Sequence, residues 1–179
     1  MDTEDYLIEE LSPSDVEQVA ALIKRNLSSY QEAGTVLAAT FRRLDDLLEH
    51  YQREGRRFFV AKDPSNDGRC IGCAGIGSLH GLPASEGMGE IRDLVVEKSF
   101  RGKGLGTRLL KRCLSTSRDF GYKRIYLETT PQMENAQKLF QRFGFRPVTE
   151  AKPEGAKASA NQQMPCYYLL ENSKEESIG

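Results

Sequence analysis

Arg101-Gly102-Lys103-Gly104-Leu105-Gly106-Thr107 stands between a strand-like run, Glu90 to Glu97, and a helix-like run, Leu105 to Phe120. Three glycines in five residues let the backbone turn tightly and approach a ligand closely. The helix that opens at the end of this turn begins with N–H groups that have no intrahelical partner, and such an end attracts anions. The stretch therefore reads as a loop that holds a phosphate. It also decides the fold. A strand, a glycine turn, a helix and a second strand at Arg124 to Thr129 make a βαβ unit, whose strands run parallel and connect right-handedly.

Working outward, the strand before the loop is uneven. Its second half, Leu94-Val95-Val96, is apolar, as in a central strand covered on both faces. Its first half puts Glu90, Arg92 and Asp93 on both faces. Burying charge is costly unless it is paired, so the strand is expected to open into a cleft there. Upstream, Arg57 to Lys62 and Cys70 to Leu79 flank the turn-rich Asp63-Pro64-Ser65-Asn66-Asp67-Gly68 and form an antiparallel hairpin. Glycines at 72, 75 and 77 weaken its second strand unless something must come close to it.

Tyr6 to Glu10 is a first strand, and Ser12-Pro13-Ser14-Asp15 is a capped helix start. Val16, Val19, Ile23 and Leu27 follow at helical spacing, then Leu37, Phe41, Leu44, Leu48 and Tyr51 before Gly55. Asn26 to Gly34 is a polar loop. Downstream, Leu105, Leu109, Leu110, Cys113 and Leu114 form one helix face that Gly121 ends. Met133, Ala136, Phe140 and Phe143 stripe a short helix before Gly144. Strands follow at Phe145 to Thr149 and Met164 to Leu170, with the polar loop Ala151 to Gln163 between them. Neither repeat nor linker interrupts the chain, which reads as one domain over residues 1–179.

The net charge of −1 predicts no polyanion partner, but the charge is unevenly placed. Residues 1–17 carry seven acids and no base, and residues 98–124 carry nine Lys or Arg and one acid. The positive segment around the glycine loop fits a ligand with several phosphates. No apolar run approaches the ~20 residues of a membrane span, and the opening residues are acidic. The expectation is a soluble, cytoplasmic protein. Cys70-Ile71-Gly72-Cys73 has metal-ligand spacing, but it lies in a strand, where residues three apart point to opposite faces. A second such pair is missing, so no metal is expected. His50 and His80 stand isolated and read as surface or packing residues.

Three phosphate motifs compete for the loop. The P-loop pattern is absent. The dinucleotide fingerprint GxGxxG fails at Thr107, where its third glycine should stand, and the βαβ unit comes mid-chain after a hairpin. The third pattern, Arg/Gln-x-x-Gly-x-Gly/Ala at a helix start, is matched fully by Arg101 to Gly106. In these residues the chain resembles the GNAT superfamily of acetyl-CoA-dependent N-acetyltransferases. The resemblance covers nearly the whole chain, including Ala136-x-x-x-Phe140-x-x-x-Gly144-Phe145. Leu127-Glu128-Thr129-Thr130-Pro131-Gln132-Met133 is most similar to the bacterial subgroup also found fused to MarR-type regulators, although no such regulator domain is present.

The resemblance implies an α/β (α+β) fold: a mixed, mostly antiparallel central sheet with a splayed parallel strand pair, flanked by helices. It implies acetyl-CoA as co-substrate, an amine of a small molecule or protein as acceptor, and a monomer or homodimer. The CoA pyrophosphate would lie on Arg101, Gly102, Lys103, Gly104, Leu105, Gly106 and Thr107. The pantetheine arm would pair with Leu94, Val95 and Val96. A non-catalytic acetyl-CoA-binding module is the alternative, and nucleic-acid binding through residues 98–124 is a third reading.

An alkylamine with a pKa near 10.4 is roughly one part in a few thousand neutral at pH 7. A base or a water relay must therefore take its proton. By resemblance Glu90 is the expected base; Asp93, Glu128 or no protein base are the alternatives. The thioester oxygen needs a donor, expected from a backbone N–H near Leu94 or Val95. The family's usual tyrosine acid is replaced by Phe140, which cannot donate a proton, so Phe140 is expected to pack and Tyr167 and Tyr168 are the available substitutes. The family's asparagine position is occupied by Met133. Glu86, Glu90 and Asp93 suggest an acidic acceptor pocket suited to a cationic amine.

Overall fold

A computed structural model describes residues 6–28, 44–80, 82–129, 133–148 and 166–172. Leu37, Phe41, most of the Asn26 to Gly34 loop, Pro131 and the loop Ala151 to Gln163 lie outside the described residues. The described strands are β1 (Leu7–Glu10), β2 (Arg57–Asp63), β3 (Arg69–Ser78), β4 (Met88–Val96), β5 (Arg124–Thr129), β6 (Arg146–Val148) and β7 (Cys166–Glu171). They form a seven-stranded sheet in the order β1-β2-β3-β4-β5-β7-β6. Every neighbouring pair is antiparallel except β4 and β5, which are parallel.

Helices cover both faces of this sheet. On one side lie α1 (Val16–Ser28) and α2 (Leu47–Gln52), packing Val19, Leu22, Ile23, Leu44, Leu47 and Tyr51 on Phe58, Val60, Cys70 and Cys73. On the other lie α3 (Leu105–Asp119) and α4 (Glu134–Arg142), packing Leu105, Leu109, Leu110, Cys113, Leu114 and Phe140 on Phe59, Ile71, Ile76, Ile91, Ile125 and Leu127. Each fully buried leucine or isoleucine contributes roughly 1.5–3 kcal/mol, and these two layers hold the sheet between them. The helix starts and stops follow local chemistry. Asp15 accepts a hydrogen bond from the Ser12 backbone N–H at 2.9 Å, closing the first turn before α1. Gly121 (φ +78°) and Gly144 (φ +85°) take the left-handed conformation just past α3 and α4, where a Cβ would be strained.

Two irregularities rephase the central strands. Lys62 pairs with Cys70 and Ala61 with Gly72, so Ile71 is an extra residue in β3. This bulge corrects the expectation for Cys70 and Cys73. Ile71 and Gly72 together occupy the α3 side, and both cysteines face the α1 and α2 layer instead of opposite faces. The second bulge lies in β4. Cys73 pairs with Val95 but Gly75 with Arg92, which leaves one extra residue at Asp93–Leu94. Asp93 has φ +52° there, a region that non-glycine residues seldom enter.

Candidate active site

The parallel pairing of β4 with β5 runs from Met88↔Arg124 to Ile91↔Leu127 and ends there. Beyond Ile91 the two strands part at the Asp93 bulge, and β4 stays paired with β3 alone. The Glu97 N–H bonds the Ile71 carbonyl at 2.8 Å. In an antiparallel ladder the bonded pairs alternate, so Val95 turns its backbone groups to Cys73, while Leu94 and Val96 turn theirs to the gap. The Val96 carbonyl accepts from Arg101 Nε at 3.0 Å. The Asp93 carbonyl accepts from Cys73 Sγ at 3.3 Å. Because a trans peptide sets its C=O and N–H on opposite sides, the Leu94 N–H points away from Cys73.

The glycine loop closes one end of this gap. Gly102 (φ +76°) and Gly104 (φ +82°) are left-handed, and a Cβ built at either meets nothing within 4 Å. Gly104 is the N-cap of α3 and supplies no side-chain cap, and the first turn carries no acid. The first N–H groups of the helix thus face outward with the positive end of its dipole. Gly106 faces Leu139 and Val96 at ordinary contact distance. Arg101 ties the loop to the end of α1 through Asn26 Oδ1 (2.5 Å), and Lys103 lies over the Phe100 ring at 5.2 Å. Arg101 through Thr107 therefore stand together at the mouth of the gap whose wall is Leu94 to Val96.

Glu90 sits where β4 is still paired on both sides, between Gly77 and Tyr126. Its side chain is on the α2 face and 4% exposed. It accepts from Arg92 Nη2 at 2.6 Å and from the His80 backbone N–H at 3.1 Å. Both partners are donors, which match an ionised carboxylate. A cavity of about 40 Å³ adjoins it, lined by His50, Tyr51, Arg56, Gly77, Ser78, His80, Glu90 and Arg92. A wider hollow of about 220 Å³ lies between α2 and β1–β2; its charged groups, Arg57 and Glu10, pair with each other at 3.4 Å.

The cavity departs from the acidic pocket expected from Glu86, Glu90 and Asp93. Neither Glu86 nor Asp93 lines it. Glu86 is an exposed residue of the turn before β4, and Asp93 falls in the bulge. Arg92 and the His80 backbone N–H bond Glu90, and Arg56 and His50 line the same cavity; the sequence reading placed neither Arg56 nor His50 in a site. Only the paired glycines 75 and 77 signalled that side chains cross β3 here.

The remaining reactive groups are muted. Burial pushes the Cys70 thiol up to about 11 and holds Cys73 and Cys113 well above the ordinary thiol range, so none is a thiolate at neutral pH. Phe140 packs in the core against Phe145 and Tyr168, with ring centroids 6.0 and 6.1 Å apart. The buried Tyr168 donates to Gln137 Oε1 at 3.3 Å. At the end of β5, past the parting of the strands, the buried Thr129 Oγ1 has no hydrogen-bond partner among the described residues. No group of three or more His, Cys, Asp or Glu among the described residues could hold a metal ion. No described helix is long and apolar enough to cross a membrane.

Comparison with known proteins agrees with this geometry. The model of the acetyltransferase (GNAT) family matches residues 22–145. The uncharacterised N-acetyltransferase YjgM of Escherichia coli is 31% identical over 108 residues, 60% of this chain and 62% of that protein. An amino-acid acetyltransferase of Mycobacterium tuberculosis is 31% identical over 93 residues, 52% of this chain. The chain thus spans 62% and 48% of the lengths of these two relatives. The uncharacterised N-acetyltransferase C1271.07c of Schizosaccharomyces pombe is 30% identical over 138 residues, 75% of this chain and 78% of its own. Among solved structures, a GNAT-family acetyltransferase of Staphylococcus aureus superposes with a TM-score of 0.78 at 20% identity, covering 94% of this chain and 99% of that one. YncA of Salmonella typhimurium, solved with its cofactor acetyl-CoA, superposes with a TM-score of 0.68 at 21% identity, covering 97% of each chain.

Proposed function

Within the acetyltransferase (GNAT) family, to which this chain belongs, we propose that it transfers an acetyl group from acetyl-CoA to a primary amine. The observation that carries this reading is the parting of β4 from β5 after Ile91, with the backbone of Leu94 and Val96 turned into the gap and the uncapped start of α3 at its mouth. An amide-rich arm can add to β4 there as a short extra strand. Its phosphates then meet the N–H groups of Gly102 to Thr107 and the charges of Arg101 and Lys103.

In the transfer step, negative charge grows on the thioester carbonyl oxygen, and the Leu94 N–H is the donor we assign to it. Val95, whose own N–H is committed to β3, contributes its place in the strand. Glu90 takes the proton of the amine. Its carboxylate is clamped by Arg92, and the proton reaches it directly or through water. The departing thiolate needs little help, since a thiol has a pKa of about 8.5; this suits a site with Phe140 at the usual tyrosine position. We further propose one acetyltransferase domain over residues 1–179, a monomer or homodimer acting in the cytoplasm. The free, buried Cys70, Cys73 and Cys113 suit a reducing compartment.

The test is thiol release from acetyl-CoA over a panel of amines, with CoA binding measured separately by calorimetry. Glu90→Gln should lower the rate at neutral pH about 100-fold or more and leave CoA affinity within a few-fold. An unchanged rate removes Glu90 from its role. CoA binding without turnover of any amine favours the non-catalytic module, the reading that Phe140 supports.

A further inference from the structure

Two glycines of β3 give room to side chains that acetyl transfer alone does not call for. A Cβ at Gly75 would stand 2.5 Å from the Tyr51 ring carbon Cζ, and one at Gly77 would stand 3.1 Å from Arg56 Cγ. Tyr51 and Arg56 lie across the strand because these positions have no Cβ. Arg56 is thereby held half-buried in the wall of the cavity beside Glu90. Its Nη1 meets the His50 ring nitrogens at 2.9 and 2.6 Å, and its Nη2 donates to Ser78 Oγ at 3.2 Å. A guanidinium only donates, so at most one His50 ring nitrogen accepts from it. Among the described residues no carboxylate meets Arg56, whereas Arg92 is paired with Glu90 at 2.6 Å. Among the described residues the wall therefore carries two guanidinium charges against one carboxylate. A partly desolvated charge without a counter-ion is costly, and the fold keeps this one beside the proposed base.

We infer that this cavity binds a carboxylate of the acceptor, which is then a small amine bearing a carboxylate within a few bonds of its nitrogen: an amino acid by class. The inference rests on the acetyl-transfer reading and names its acceptor. The charge surplus selects an anion, and the planar fork of Arg56 matches a carboxylate. The cavity is small, about 40 Å³, and a carboxylate is among the smallest organic anions. The carboxylate enters opposite Glu90, whose own charge Arg92 offsets, and the amine is left on the Glu90 side.

The experiment compares the standard amino acids with their α-amides as acceptors for wild type, Arg56→Gln and Arg56→Lys, with CoA affinity followed in parallel. Wild type should use at least one amino acid about tenfold or more better than its amide in kcat/KM. Arg56→Gln should remove about 10- to 100-fold of that preference, mainly through KM for the amino acid, with a clearly smaller loss for the amide; Arg56→Lys should restore part. Equal use of acid and amide by wild type, or equal losses for both in Arg56→Gln, overturns the proposal. Should no amine turn over, the acetyl-transfer reading is what fails, and calorimetric titration of the same amino acids into CoA-saturated protein decides this one. Carboxylate-dependent binding lost in Arg56→Gln supports it, and no such binding by wild type at about 10 mM sinks it.

Discussion

The two halves of β4 have the same neighbour on one side and different fates on the other. Gly89 to Ile91 are paired with both β3 and β5, and all three are buried. Arg92 to Val96 is paired with β3 only, bulged at Asp93 and half-buried throughout. In the closed half the backbone groups are consumed by the sheet, and only the Glu90 side chain offers chemistry. In the open half the side chains are ordinary, and the backbone offers it. A residue's exposure to change should therefore differ sharply between the halves, in stability for the first and in cofactor affinity for the second.

The largest stability effect belongs to the closed half. A Cβ at Gly89 would stand 2.9 Å from Ile125 Cδ1 and 3.0 Å from the buried Tyr122 ring. Gly89→Val should cost about 2–3 kcal/mol by overpacking, read as a lowered denaturant midpoint. If the midpoint stays, the closed half is looser than its packing implies. Asp93→Val comes next. A β-branched residue at φ +52° should cost about 1–2 kcal/mol, and by straightening the bulge it should weaken CoA binding more than it weakens the fold. Equal stability of Asp93→Val and Asp93→Gly would mean the bulge is not strained. The smallest effect separates two glycines of the loop. Gly104→Ala at φ +82° should cost about 1 kcal/mol and weaken CoA binding, whereas Gly106→Ala meets only ordinary contacts at 3.6–3.7 Å and should change stability by less than about 0.5 kcal/mol. Thermal melts with and without CoA distinguish them.

The elements were legible where their signal is local. The apolar stripe of α3, the Ser12 to Asp15 helix start, the turns at Gly55, Gly121 and Gly144, and the glycine loop all act within a few residues, and each is found where its spacing placed it. The candidate site was legible only in part. Glu90 and the loop were named from pattern, but the surroundings of Glu90 were not. Arg56 precedes Glu90 by thirty-four positions, and nothing periodic connects them. His50 and His80, isolated in sequence, come to the same cavity because α2 packs over the β3–β4 hairpin. The pair Cys70 and Cys73 was misplaced for a related reason: one extra residue at Ile71 reverses the facing of everything beyond it.

By itself, then, the chain's sequence determined the order of strands and helices, the glycine loop that opens α3 and the family to which they belong. These follow from glycine's freedom at positive φ, from apolar spacing and from unpaired N–H groups at a helix start. Only the tertiary structure decided where β4 leaves β5, which backbone groups face the gap, and that Arg56 and Arg92, rather than Glu86 and Asp93, share the described cavity with Glu90. Bulges and long-range packing set those outcomes. They depend on which side chains meet across the sheet, a property of the assembled layers that no single segment encodes.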